Sequence, residues 1–112
     1  MISSSFKVLQ VNLNRSQPAT ESALQIAIEL KIDLIIVQEP WVIKPISPID
    51  YSTTRSILHS AFTQILPADL TYQPRILAYV ANSFEPIVTI ASDSPRDLDL
   101  LVLDIIEGQL KI

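Results

Sequence analysis

The chain contains no cysteine among its 112 residues. This absence excludes disulfide bonds, thiolate zinc sites and a cysteine nucleophile, and it fits an intracellular protein. The chain also lacks an apolar run long enough to span a bilayer, and its first residues lack the charged start and apolar stretch of a secretory signal. We therefore expect an intracellular protein with no membrane partner.

Positive charge is scarce as well. The chain has 8 lysines and arginines against 12 aspartates and glutamates, which gives a net charge of −4 at pH 7 and a pI near 4.7. The basic residues are spread along the chain and form no cluster. Because nucleic-acid binding usually requires a basic face that neutralises phosphates, we expect weak DNA binding or none from this segment alone.

Apolar residues, by contrast, are abundant. They make up 48% of the chain, and the mean hydropathy is +0.34. These values are typical of a globular protein and exclude a disordered one. The length allows one domain or part of one.

Two apolar stretches of strand length are the most informative part of the sequence. They cover residues 6–13 and 34–39, and each ends in amide or carboxylate side chains. One helix-length segment lies between them, so we predict a right-handed βαβ unit with parallel strands. Both polar ends then emerge at the same end of the sheet, where open α/β sheets bind their ligands. Asn12, Asn14 and Glu39 are therefore predicted to converge.

The segment between these strands carries the signals of a helix. Ser16 suits the N-cap, and Pro18 suits the first turn, where its missing N–H costs nothing. Apolar residues at helical spacing predict a buried stripe of Ala23, Ile26, Ala27 and Leu30. The strand before the helix is apolar enough that we expect both of its faces to be covered.

The second half of the chain has the pattern of strands and turns. Residues 40–55 are rich in proline and serine and predict a long loop at the ligand end of the sheet. Residues 61–66 fit a strand or a helix, and their β-branched and aromatic side chains favour a strand. Three β-type runs follow with short connections between them, which predicts an antiparallel meander over residues 75–80, 87–90 and 98–105.

The last residues predict a hairpin that is not completed. Residues 107–109 have the composition of a hairpin turn, and residues 110–112 look like the start of the returning strand. A strand that stops there leaves an unpaired edge, at which self-association is expected. We therefore expect a truncated α/β domain, in which a βαβ unit is followed by antiparallel strands.

Four segments resemble, in the expected order, strand motifs of the endonuclease/exonuclease/phosphatase superfamily. In particular they resemble the apurinic-type endonuclease domain of fungal non-LTR (LINE-like) retrotransposons. The resemblance implies a four-layer α/β sandwich, of which residues 1–112 form the N-terminal half and the C-terminal half is absent. The segments are Gln10-Val11-Asn12-Leu13-Asn14-Arg15-Ser16, Val37-Gln38-Glu39-Pro40, residues 74–80 (Pro-Arg-Ile-Leu-Ala-Tyr-Val) and residues 99–105 (Asp-Leu-Leu-Val-Leu-Asp-Ile).

The resemblance also implies roles for individual residues. Asn12 corresponds to the catalytic asparagine that organises the phosphate and metal pocket, and Glu39 corresponds to the acidic metal ligand. Asn14 falls where relatives carry an Asp or Asn beside the metal, and Arg15 is placed to contact substrate phosphate. The implied cofactor is Mg²⁺ or Mn²⁺, which polarises a phosphodiester that an activated water attacks. The family's later catalytic motifs would lie beyond Ile112, so no turnover is expected from this chain alone.

Each candidate residue also has a structural interpretation. Glu39 can be a solvent-facing strand end, Arg15 a solvated loop residue, and Asn12 and Asn14 can be turn formers or helix caps. Trp41 is expected to pack, although it could also stack on a base. The remaining candidates, His59, Asp99 and Asp104, are expected to have no catalytic role.

Three functional hypotheses follow. The first is a fragment of a metal-dependent DNA endonuclease that acts in the nucleus, where it nicks target DNA to prime reverse transcription. DNA is then the partner of the full-length protein. The second is a non-catalytic or decayed interaction module that keeps the βαβ core and associates through its open strand edge. The third is half of a host nuclease or phosphatase of the same superfamily.

Overall fold

A computed structural model describes residues 6–42, 56–66, 74–91 and 101–106 of the chain. Within these ranges the protein is an α/β domain, which confirms the predicted fold class. Its helix α1 has 13 residues and is too short to cross a membrane. The elements are, in chain order, β1 (Val8–Asn12), α1 (Gln17–Glu29), β2 (Leu34–Gln38), β3 (Phe62–Ile65), β4 (Ile76–Ala81), β5 (Ile87–Ile90) and β6 (Leu103–Ile106).

The main sheet has four strands in the order β1-β2-β4-β3. Strands β1 and β2 are parallel and α1 connects them, so the predicted βαβ unit is present. Strand β4 runs antiparallel to β2 and pairs Gln38 with Ile76. The carboxyl end of the sheet is therefore the end where β1 and β2 finish, at Asn12 and Gln38, and where β4 begins. The opposite end is called the amino end below.

Both ends of α1 are closed by local hydrogen bonds. The Ser16 Oγ accepts the N–H of Ala19 at 3.2 Å, which confirms the predicted N-cap. At the other end Lys31 adopts a φ of 56°. The N–H of Lys31 donates to the Ile28 carbonyl at 3.2 Å, and the N–H of Ile32 donates to the Ala27 carbonyl at 2.8 Å. These two bonds form a Schellman motif, which ends the helix.

The predicted buried stripe of α1 is only half correct. Ile26 and Leu30 are exposed, at 47% and 54% of their surface. The helix is instead rotated so that small side chains face the sheet, and small side chains let the two elements approach closely. Thr20 can be buried because its Oγ1 donates to the Ser16 carbonyl at 2.7 Å. The buried residues are Thr20, Ala23, Leu24 and Ala27.

The central strands β2 and β4 are more deeply buried than the outer strand β1. Ile35 and Val37 of β2 and Leu77 and Tyr79 of β4 are buried and lie in one apolar cluster with Leu13, Leu24 and Phe62. Strand β1 was predicted to be covered on both faces, and this was wrong. Exposed and half-buried residues alternate along β1, so one face, that of Leu9 and Val11, packs on the core, and the other is exposed, with Val8 at 49%.

The predicted meander is also only partly correct. Strands β5 and β6 pair antiparallel as expected, but they form a separate two-stranded sheet. Strand β4 lies between β2 and β3 in the main sheet, and this central position buries its consecutive side chains from Leu77 to Tyr79. The favoured strand assignment over residues 61–66 is confirmed by β3. Residues 43–55, 98–100 and 107–112, on which parts of the loop, strand and hairpin predictions fall, lie outside the described residues.

Candidate functional site

A pocket of about 310 Å³ lies at the carboxyl end of the main sheet. Three chain segments build its wall. They are the end of β1 with the turn after it, the end of β2 with the residue after it, and the start of β4. This pocket is called the carboxyl-end pocket below. Its lining residues are Asn12, Arg15, Gln38, Glu39, Arg75 and Ile76.

The segment after β1 turns back sharply into α1. The N–H of Ser16 donates to the Leu13 carbonyl at 2.9 Å, and the two residues between them have positive φ, 50° for Asn14 and 56° for Arg15. Two successive positive φ values are typical of a type I′ turn. The Asn12 Oδ1 accepts the N–H of Asn14 at 2.9 Å and so supports the turn from its first side.

The backbone of Glu39 joins the three segments. Its N–H donates to the Arg75 carbonyl at 2.9 Å, and its own carbonyl accepts the N–H of Arg15 at 2.8 Å. The N–H of Leu13 donates to the Gln38 carbonyl at 3.0 Å and prolongs the parallel pairing by one residue. Glu39 is thus held between the β1 turn and the start of β4, with its side chain half-buried in the pocket wall.

Two of the charged residues in the wall have a backbone conformation that favours glycine. Arg15 has a φ of 56° and Glu39 a φ of 48°. For residues with a Cβ atom this left-handed region costs roughly 1–2 kcal/mol each. The chain has a single glycine, Gly108, so it uses glycine at neither position. Backbone strain of this kind is concentrated at functional sites.

The structure brings together three of the four predicted site residues. Asn12, Arg15 and Glu39 line the carboxyl-end pocket. Asn14 is a turn residue and is not part of the described lining, so its role at a metal stays a prediction. Arg75 was missed because it opens a strand instead of following one. The signal that could have found it is the antiparallel direction of β4, which brings an amino end to the carboxyl ends of β1 and β2.

The lining offers the oxygen ligands that a hard divalent cation prefers. Glu39 supplies a carboxylate, and no side-chain hydrogen bond joins that carboxylate to another residue in the described ranges. The Asn12 Oδ1 has a second lone pair beyond the one used for the Asn14 N–H. Mg²⁺ often binds through one or two carboxylates together with waters and phosphate oxygens, so these groups fit it. The described residues contain no cluster of three His, Asp or Glu side chains.

His59 and Trp41 make contacts that support the fold. The His59 Nδ1 accepts the N–H of Ala61 at 3.0 Å, and its ring packs at 5.8 Å on Phe62. Trp41 is half-buried, and its carbonyl accepts the Ser56 hydroxyl. Asp104 is exposed in the outer strand β6, while Asp99 lies outside the described residues.

A buried polar cluster connects the segment around Ser56 with β3 and β4. The Gln64 side chain donates to the carbonyls of Ser56 and Ile57 at 2.9 and 2.8 Å and accepts the Ser56 N–H at 3.0 Å. The Tyr79 hydroxyl donates to the Ile57 carbonyl at 2.8 Å. Burial raises the pKa of the Tyr79 phenol above its usual value, although the Ser56 hydroxyl opposes the shift. These polar groups stabilise the fold and lie outside the pocket lining.

Comparison of the chain with models of protein families, with curated proteins and with solved structures found no match. A functional interpretation therefore depends on the sequence motifs and on the geometry of the carboxyl-end pocket. In this geometry, Asn12 at the end of β1 and Glu39 directly after β2 line the same pocket.

Proposed function

We propose that this chain carries part of the active site of a metal-dependent phosphodiesterase of the endonuclease/exonuclease/phosphatase superfamily. In a longer protein, the activity is that of a DNA endonuclease of a non-LTR retrotransposon, which nicks target DNA in the nucleus. The substrate class is a phosphodiester of DNA, and the cofactor is Mg²⁺ or Mn²⁺.

One observation carries this proposal. Asn12 is the last residue of β1, and Glu39 directly follows β2. Both line one pocket at the carboxyl end of these two parallel strands. Open α/β sheets bind ligands at this end. The family resemblance assigns both residues to one phosphate and metal pocket, and their shared lining supports that assignment. The same placement supports a catalytic role for Asn12 and a metal role for Glu39.

The proposed roles follow from the chemistry of the side chains. Glu39 would hold the divalent cation with its carboxylate, and Asn12 would supply an amide oxygen or orient a substrate phosphate. A cation bound there supplies Lewis-acid stabilisation of the charge that develops on the phosphodiester. Hydrolysis also needs a general base for the attacking water. We place that base, and further ligands of the cation, in other parts of a longer protein, so the chain alone should show no turnover.

The test is a titration of the chain with Mg²⁺ and then Mn²⁺, followed by amide NMR spectra. We expect saturable shifts, or Mn²⁺ broadening, that concentrate on residues 12–15 and 38–39. In the variant Glu39→Gln the apparent affinity should fall at least about tenfold, because a neutral amide replaces the carboxylate that the described residues contribute to the lining.

The matched control is Glu29→Gln, which removes an exposed carboxylate at the other end of α1. This control should respond to both cations as the unsubstituted chain does. Equal responses of the unsubstituted chain and Glu39→Gln, or no saturable response in either, would remove the metal site and with it the proposed activity.

A further inference from the structure

We propose that Arg75 and Arg15 form a phosphate-binding pair in the carboxyl-end pocket and that this pair works without a metal ion. The inference rests on the proposed function, because it assigns the subsite that holds the substrate phosphodiester. It goes further by assigning a role to Arg75 and by separating phosphate binding from cation binding.

The backbone places Arg75 at the pocket. Arg75 directly precedes β4, and its carbonyl accepts the N–H of Glu39 at 2.9 Å. This backbone bond fixes the Cα of Arg75 next to that of the acidic residue. Its exposed side chain forms part of the pocket wall. Arg75 therefore reaches the pocket from the β4 side, opposite the turn that follows β1.

Arg15 reaches the same pocket from the other side. Its N–H donates to the Glu39 carbonyl at 2.8 Å, so the two arginines anchor the two sides of one residue. Arg15 also occupies a left-handed position, with a φ of 56°, at which glycine would be more stable. Keeping an arginine there makes sense if its side chain has a function in the pocket.

The charges of the pocket wall suit an anion. Among the described residues, the lining contains two guanidinium groups and one carboxylate, so these residues together carry more positive than negative charge, although the whole chain has a net charge of −4. A guanidinium group offers paired N–H donors that match two phosphate oxygens. Both arginines are exposed, so salt screens them and the expected affinity is weak. The pair thus fits one phosphate group, not an extended nucleic-acid surface.

The experiment measures phosphate binding to the chain at low salt in the presence of EDTA, by amide NMR. The probes are inorganic phosphate and dimethyl phosphate, which is a diester. We expect saturable shifts at residues 12–15, 39 and 75–76 with both probes. Arg75→Gln should weaken binding by about tenfold, the equivalent of one charge-assisted hydrogen bond, and Arg75→Lys should weaken it less.

The control is Lys31→Asn, which removes a positive charge at the amino end of the sheet and places a residue that tolerates the left-handed conformation. Phosphate binding by this variant should equal that of the unsubstituted chain. Unchanged phosphate affinity in Arg75→Gln, or an equal loss in Lys31→Asn, would overturn the inference. Binding of inorganic phosphate without dimethyl phosphate would overturn the assignment of the pair to a phosphodiester.

The two proposals fail in different ways. Arg75→Gln should keep its response to Mg²⁺, because the carboxylate of Glu39 remains. Glu39→Gln should lose that response and still bind phosphate in EDTA. A chain that binds phosphate and no cation contradicts the metal-dependent activity alone, whereas a chain that binds the cation and no phosphate contradicts the arginine pair alone.

Discussion

The two ends of the main sheet differ in what their polar groups do. At the amino end a second cavity of about 480 Å³ has a mostly apolar wall. One of its charged residues, Asp33, serves the backbone, since its carboxylate accepts the N–H of Lys7 at 2.9 Å. Lys7 lies at the same end outside the described lining, and its Nζ donates to the Leu30 carbonyl at 3.3 Å. At the carboxyl end the wall is built from charged and amide side chains.

The residues with positive φ also have different surroundings at the two ends of the sheet. At the amino end Lys31 has a φ of 56°, and the Schellman motif that ends α1 explains it completely. At the carboxyl end Arg15 and Glu39 have similar angles, and each contributes a charged side chain to the pocket. The angles of Lys31 and Arg15 therefore belong to a helix end and to the type I′ turn after β1, whereas the angle of Glu39 accompanies its place in the candidate site.

The largest expected effect comes from truncating the wall at each end. Phe62 lines the amino-end cavity and belongs to the apolar core, whereas Gln38 lines the carboxyl-end pocket and is exposed. Phe62→Ala should lower the free energy of unfolding by about 3–5 kcal/mol. Gln38→Ala should change it by less than about 0.5 kcal/mol. Urea unfolding of both variants measures the difference, and similar losses would show that the two walls are equally structural.

A smaller effect is expected between the two ends, where Tyr79 of β4 uses its hydroxyl to hold the Ile57 carbonyl. Tyr79→Phe should cost about 1 kcal/mol near neutral pH, because it removes one of the two donors of that carbonyl and leaves the Gln64 side chain as the other. Burial raises the pKa of the Tyr79 phenol in the folded chain above its ordinary value of 10.0. The unfolded chain therefore loses this proton first, and folding stability falls as the pH rises above that value.

The pH dependence provides the check on Tyr79. Urea unfolding of the unsubstituted chain and Tyr79→Phe is compared from about pH 8 to about pH 11. The stability advantage of the unsubstituted chain should be constant below the ordinary phenol pKa and shrink above it. An advantage that stays constant over the whole range would mean that the phenol is not buried in the folded chain.

The convergence of Asn12 and Glu39 was predictable from sequence because it depends on local patterns. Each strand could be recognised from its own residues, and the strands of a βαβ unit are parallel, so paired neighbours place their carboxyl ends at the same end of the sheet. The strand pattern of residues 87–90 was predicted with the bounds that the structure shows. These predictions required no knowledge of distant contacts.

The errors concern choices that distant contacts decide. The buried face of α1 depends on how closely the helix approaches the sheet, and this favours Ala23 and Ala27 over the exposed Ile26. The position of β4 depends on which open strand it covers, so its pairing with β2 and the arrival of Arg75 at the pocket could not be inferred from chain order. Hydrophobic periodicity shows that a face is buried without specifying its partner.

The smallest expected effect tests whether the positive φ of Lys31 has a structural cause and the positive φ of Glu39 a functional one. Lys31→Gly and Glu39→Gly each place glycine at a positive φ and should each stabilise the fold by about 0.5–1 kcal/mol. Lys31→Gly should leave the Mg²⁺ titration unchanged, whereas Glu39→Gly should abolish it along with the carboxylate. A gain in stability at Lys31 alone would indicate that the loop around Glu39 is not strained. In that case the retention of a non-glycine residue there would need no functional explanation.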